Sequence, residues 1–266
     1  MNTNTTKLIY FSPTGTTKSI LERIAQGLQG ERTEHLDMTP PDANTRALAE
    51  THDELVILGS PVYGGRLPPD AAQRLRRLKG SGSPAVVVVV YGNREYEDAL
   101  LELSDLAAEA GFIPVAGGAF IGEHSFDSKA MPIASGRPDE QDLKKAEEFG
   151  RAIRQKIAGV NTLGEMAPLN VPGDFPYKEW HKWQDVSPIT REDTCIRCKS
   201  CIAACPTAAI TMNGTLTTDT DVCIVCCACV RACPTGARVA EHPRIKKIQE
   251  WLSTNYRARK EPETFL

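Results

Sequence analysis

The chain contains nine cysteines, and all of them fall between residues 195 and 233. Eight form a repeat: Cys195, Cys198, Cys201 and Cys205, followed by Pro206, recur 28 positions later as Cys223, Cys226, Cys229 and Cys233, followed by Pro234. The first 194 residues contain none. Such crowding in a chain expected to be cytosolic reads as metal ligation, because that compartment keeps thiols reduced. A CxxCxxC loop turns back on itself and can bring three thiolates to three corners of a small cube of iron and sulfide. A cysteine placed further on runs away from that loop and faces a second centre. Structural zinc takes four ligands, commonly as two CxxC pairs, and fits two triplets-plus-one poorly. The prolines end the ligand loops, and Ala203, Ala204 and Ala232 let backbone pass close to an inorganic core. Cys227, directly after Cys226, reads as a small buried hydrophobe.

A second set of residues with chemical potential lies in the first half. FSPTGTTKSI (11–20) follows an apolar run and opens a helical pattern. In doubly wound folds that turn holds a phosphate. Ser12, Thr14, Thr16 and Thr17 supply hydroxyls, and Gly15 lets N–H groups curl around an anion. The lysine of a nucleotide-triphosphate loop is missing, as are the glycines of a dinucleotide loop. GSPVYGGRLP (59–68) and YGNREYEDAL (91–100) follow two further apolar runs. Both then sit at carboxyl ends of strands, where a ligand of this architecture lies. They offer glycine for close approach, Tyr63, Tyr91 and Tyr96 for a flat ring, and Arg66 and Arg94 as positive charge for an anionic reduced ring.

The elements that must position these loops follow from apolar periodicity. KLIYF (7–11), ELVILG (54–59), AVVVVVY (85–91) and GFIPVAGGAF (111–120) read as strands, RTEHLDM (32–38) as a weaker one. Helical patterns fit 16–28 and about 69–79, 95–110 and 139–157. Together they predict an α/β fold, a doubly wound sheet of five parallel strands over residues 1–157. Residues 158–190 carry Pro168, Pro172, Pro176 and Pro188 with the aromatic cluster FPYKEWHKW, and read as a linker that packs on a neighbouring domain. Phe175, Tyr177, Trp180 and Trp183 are too apolar to stand in water unpartnered. Residues 191–240 form the cysteine module. In the tail, 241–266, Ile245, Ile248, Trp251 and Leu252 share one helical face. A net charge of −3 gives no sign of nucleic acid. The longest apolar run is too short to span a bilayer, and the polar start of the chain does not read as a signal peptide.

With these motifs in place, the chain resembles a family of flavodoxin–ferredoxin hybrid proteins of anaerobic bacteria and archaea. The three loops look like the phosphate loop and ring-flanking loops of flavodoxin, and residues 191–240 resemble the small α+β bacterial-type two-cluster ferredoxins. The resemblance implies that Ser12, Thr14, Gly15, Thr16 and Thr17 bind the phosphate of FMN. Pro61, Val62, Tyr63, Gly64 and Gly65, with Tyr91, Gly92, Asn93, Arg94 and Tyr96, would frame its ring, Tyr63 first among the stacking partners. GEHSF (122–126) would be a further wall. Flavodoxins often flank the flavin with tryptophan, and none occurs here before Trp180. The cysteine pattern implies two [4Fe–4S] clusters with crossed ligation: Cys195, Cys198, Cys201 and Cys233 on one, Cys223, Cys226, Cys229 and Cys205 on the other. The expected function is electron transfer between clusters and FMN within one chain and to redox partner proteins, in the cytoplasm; a homodimer is compatible with the sequence. Two alternatives stay open: a flavin-dependent oxidoreductase of a small substrate, with His124 and Arg94 as candidate proton donors, and a redox-sensing subunit.

Overall fold

A computed structural model describes residues 2–52, 54–160 and 162–266, with side chains from Thr5 onward. The sheet is built from β1 (Asn2–Tyr10), β2 (Arg32–Asp37), β3 (Glu54–Pro61), β4 (Pro84–Tyr91) and β5 (Ile113–Ile121). These strands are mutually parallel in the order β2-β1-β3-β4-β5, the strand order of flavodoxin-like doubly wound sheets. Every residue of β4 is buried, which explains its unbroken apolar run: helices cover both faces. On one face lie α1 (Thr16–Leu28) and α4 (Glu140–Ala158), on the other α2 (Pro69–Leu75) and α3 (Ala99–Glu109). Gly27 and Gly150 let α1 and α4 approach so closely that a Cβ on Gly27 would stand 2.0 Å from the Glu147 carbonyl oxygen.

The α3 helix starts at Ala99 rather than near residue 95, because Asn93 and Glu97 take left-handed conformations (φ 65 and 43) in the loop that precedes it. The larger correction concerns sheet size. Among the described residues the sheet has six strands, not five: β10 (Glu263–Phe265), in the tail expected to be helical, pairs antiparallel with β5. It covers an edge that would otherwise present unpaired backbone groups.

The cysteine module contains β6 (Ile189–Thr190), α5 (Ser200–Ala203), β7 (Ile210–Asn213), β8 (Thr215–Thr218), α6 (Ala228–Arg231) and β9 (Arg238–Val239). Two small antiparallel pairs, β6–β9 and β7–β8, frame it. The tail then forms α7 (Pro243–Asn255), with Ile245 and Leu252 buried against Phe126 and Ile133 of the sheet domain.

Neither connection is slack. The linker sends Val171 into the core of the large domain. Asp98 accepts the N–H of Asp174 at 3.0 Å and of Lys178 at 2.7 Å, and the Tyr177 hydroxyl donates to Asp105 at 2.5 Å. Phe175 departs from expectation: it is 77% exposed, touching Tyr177 edge-on. A fully buried arginine, Arg74, donates to the carbonyls of Met38 (2.7 Å), Thr39 (2.6 Å) and Pro206 (2.6 Å), tying the residue after Cys205 to the sheet domain.

Candidate functional site: a flavin-sized cavity against a cysteine set

The loops at the carboxyl ends of β1, β3, β4 and β5 enclose a cavity of about 370 Å³, within the size range of cofactor sites. At one end stands the N-terminus of α1. Gly15 precedes it with φ 85, a conformation that suits glycine. The first turn carries no acidic residue, and Gly15 itself offers no side-chain cap, so the positive dipole end of the helix faces the loop. Thr14 and Thr16 line the cavity. Thr17 is buried, and its hydroxyl oxygen has no hydrogen-bond partner. An orphaned hydroxyl beside the positive end of a helix is a feature that a bound phosphate would satisfy. Ser12 works one step behind: its hydroxyl accepts the Lys18 N–H at 3.1 Å while its own N–H donates to Thr39 Oγ1 at 2.8 Å.

At the other end, Tyr63 and Arg66 exchange backbone hydrogen bonds of 2.9 and 3.3 Å around Gly64 and Gly65, whose φ values are 63 and 89. This is the two-residue turn that requires positive φ at both positions. It turns Tyr63 toward the cavity, where burial first and then the nearby thiols of Cys226, Cys227 and Cys223 hold its hydroxyl well above the ordinary tyrosine range. Pro61, Val62, Gly64, Gly65, Tyr91, Gly92 and Arg94 also line the cavity.

Two predicted site residues have other duties. The Tyr96 ring lies in the core, 5.4 Å from that of Tyr91, and its hydroxyl donates to Glu263 of β10 at 2.9 Å. The Asn93 amide donates to the carbonyls of Tyr256 and Ala258, both at 2.8 Å, and its oxygen accepts the Lys260 N–H at 3.1 Å. Both side chains pin the tail rather than face the cavity. Neither arginine is a free charge. Arg66 grips Glu102 with two bonds of 2.8 Å, and Arg94, at the cavity, pairs with Glu97 at 2.5 Å. His124, half-buried, lines the cavity, and its Nδ1 accepts the Phe126 N–H at 3.0 Å. Burial, with help from Arg94 and Arg231, lowers its pKa to about 4. It is therefore neutral at physiological pH, with its proton on Nε2.

The outer wall comes from outside the sheet domain. Lys178–Trp183 of the linker, Ile248, Trp251 and Leu252 of α7, and Cys223–Val225 of the cysteine module complete the cavity. All three tryptophans of the chain, Trp180, Trp183 and Trp251, are in this wall. The tryptophan missing from the first half thus arrives from the second. The aromatic cluster of the linker was the signal for two of them; nothing local pointed Trp251 here.

The cysteines fall into two sets. Cys195, Cys198, Cys201 and Cys233 line one small cavity, so the last cysteine of the second repeat joins the first triplet. Cys205 packs with Cys229 and Cys223, and Cys201 of the first set joins the same cluster. The sequence repeat is also a backbone repeat. Arg197 and Lys199 (φ 56 and 63) match Val225 and Cys227 (φ 54 and 57), left-handed positions 28 residues apart that open the CxxCxxC loops. Cys227 is thus a fold position in the repeat, buried among Phe126, Val186 and Ile245. Among the described residues no three His, Cys, Asp or Glu side chains close around a single ion. Burial raises the thiols of Cys226 and Cys229, and pushes that of Cys223 up to about 11. A thiol so placed becomes a thiolate only when a metal takes the place of its proton.

The two sets are not equivalent. Cys223 shares a wall with the large cavity, whereas the Cys195 set lies toward the surface, with Cys198 exposed and Ile196 63% exposed.

The chain matches the flavodoxin domain over residues 7–104 and the 4Fe–4S dicluster domain over residues 187–234. One chain thus carries matches to both domains, the pairing of a flavodoxin–ferredoxin fusion. The first domain suggests FMN and the second iron–sulfur clusters. Similar solved structures include a flavodoxin from the domain Archaea, 14% identical over 58% of this chain and 99% of that one, with a TM-score of 0.38. Flavodoxin 1 from Bacillus cereus is 20% identical over 57% of this chain and 97% of its own, TM-score 0.38. The Flv1 flavodiiron core from Synechocystis is 21% identical over 59% of this chain but only 37% of its own, TM-score 0.40. Comparison with curated proteins returns no match. No helix among the described residues is long and apolar enough to cross a membrane.

Proposed function

We propose that this chain is an electron carrier that holds FMN in the large cavity and two [4Fe–4S] clusters in the cysteine module, and exchanges electrons with redox partner proteins in the cytoplasm. One observation carries the reading: Cys223–Val225 and the loops of the sheet domain line the same cavity. FMN would supply a carrier of one or two electrons, and each cubane a carrier of one. The chain supplies position and environment. Thr14, Gly15, Thr16 and Thr17 would hold the phosphate, with Ser12 fixing the loop, and Tyr63 with the 178–183 segment would close over the ring. The set Cys223, Cys226, Cys229 and Cys205, with Cys223 in the cavity wall, would stand nearer the flavin, and the set Cys195, Cys198, Cys201 and Cys233 nearer the surface, where a partner would dock.

Anaerobically purified protein should contain about eight irons by ligand count and one FMN, and a redox titration should show flavin and cluster signals together. Gly15→Val, which forces a branched side chain to φ 85, should lose FMN and keep its iron. Zinc in place of iron, or failure to bind FMN supplied in excess, would overturn the proposal.

A further inference from the structure

Arg238, on β9, is 3% exposed. Its guanidinium donates to Thr190 Oγ1 at 2.8 Å, to Thr218 Oγ1 at 3.1 Å and to the sulfur of Cys229 at 3.7 Å. The same side chain lines the cavity of Cys195, Cys198, Cys201 and Cys233, and its backbone N–H donates to the sulfur of Cys233 at 3.4 Å. Its Nε is buried with no partner. The guanidinium's partners are thus two neutral hydroxyls and a sulfur, with no carboxylate among the described residues. A buried cation without a counter-charge is costly. Arginine stays charged under all ordinary conditions, so the balancing negative charge must come from what the cysteines hold.

We propose that Arg238 is a positioning residue whose charge stands between the two cysteine sets, the shared counter-ion of both clusters. Thr190 and Thr218 hold its planar fork from β6 and β8, so the charge cannot swing out to solvent. Four thiolates on a cubane leave it net negative, and reduction adds one more negative charge. A fixed positive charge beside it stabilises the reduced form more than the oxidised one, so Arg238 raises the reduction potential of both centres. The contact with Cys229 makes the effect larger at the flavin-side set. Part of the contribution passes through the backbone N–H to Cys233, which any residue here except proline would keep.

The inference rests on the proposed pair of clusters, and its test separates the two. Wild type, Arg238→Met and Arg238→Lys are prepared anaerobically as the full chain, iron is counted, and the clusters are titrated by electron paramagnetic resonance. Wild type without about eight irons would sink the cluster reading itself. With iron intact, Arg238→Met should lower both potentials, the flavin-side one by at least a tenfold change in electron affinity, about 59 mV for one electron. Arg238→Lys should stay closer to wild type. Wild-type potentials in an iron-complete Met variant would overturn the inference. Where Met cannot retain iron, the Lys variant decides: iron retained there supports the charge, and equal loss assigns Arg238 to packing and overturns the proposal.

Discussion

Cys233 lines the cavity of Cys195, Cys198 and Cys201, and Cys205 packs in one cluster with Cys229, Cys223 and Cys201. Under the proposed ligation, Cys233→Ala should empty the Cys195 set and Cys205→Ala the Cys223 set, each removing about half of the iron. The double variant should damage both, as read by iron analysis and resonance spectra; undiminished iron would contradict crossed ligation. His124 gives a prediction in pH. Its folded pKa is lowered to about 4, against roughly 6.5 for an unfolded histidine. Between those values the unfolded chain binds more protons, so stability rises with pH across that window and is lost on acidification through it. His124→Gln should show a flatter stability profile from pH 6.5 to 4 in thermal unfolding. At this scale residue type and spacing are informative for the cysteines, because the CxxCxxC spacing that marks candidate ligands is a local property. Asn93 and Tyr96 shared the right loop yet face away, since their partners lie more than 160 residues later.

The linker and tail are the elements whose behaviour the sequence described least. Proline and aromatics marked 158–190 as an irregular segment that packs, but its anchor is Asp98, which receives two backbone N–H groups from it. Asp98→Ala leaves both amides unbonded and should favour local opening of residues 173–183 by about 3–6 kcal/mol, from two hydrogen bonds to a charged acceptor. Amide hydrogen exchange should speed up there while the sheet core remains protected. The tail shows the same limit. Its helical face was visible as Ile245, Ile248, Trp251 and Leu252, whereas β10 is three residues long. So short a strand has no periodicity of its own and exists because β5 offers it an edge.

As a whole molecule, the protein is a sheet domain that clamps its cysteine module from both sides. The linker enters along Asp98, the tail returns across Asn93 and onto β5, and Arg74 bonds to Pro206 beside Cys205. Fixing the module in this way fixes the relation between the cavity and the neighbouring cysteine set. Arg74→Met would leave the carbonyls of Met38, Thr39 and Pro206 without their donor, costing about 3 kcal/mol or more. The expected outcome is a lower thermal midpoint and, with cofactor content unchanged, slower exchange between flavin and cluster signals in rapid-mixing experiments. An unchanged exchange rate would show that the other two attachments suffice to hold the module.

The amino-acid sequence alone pointed to the two domains and determined the parallel sheet and the loops that face its carboxyl edge, because strand pattern, turn glycines and CxxCxxC spacing are local properties. The tertiary structure decided which side chains close the cavity. Three tryptophans, a cysteine set and an arginine between the sets come together only through long-range packing, in which burial and hydrogen bonding choose partners that spacing along the chain does not encode.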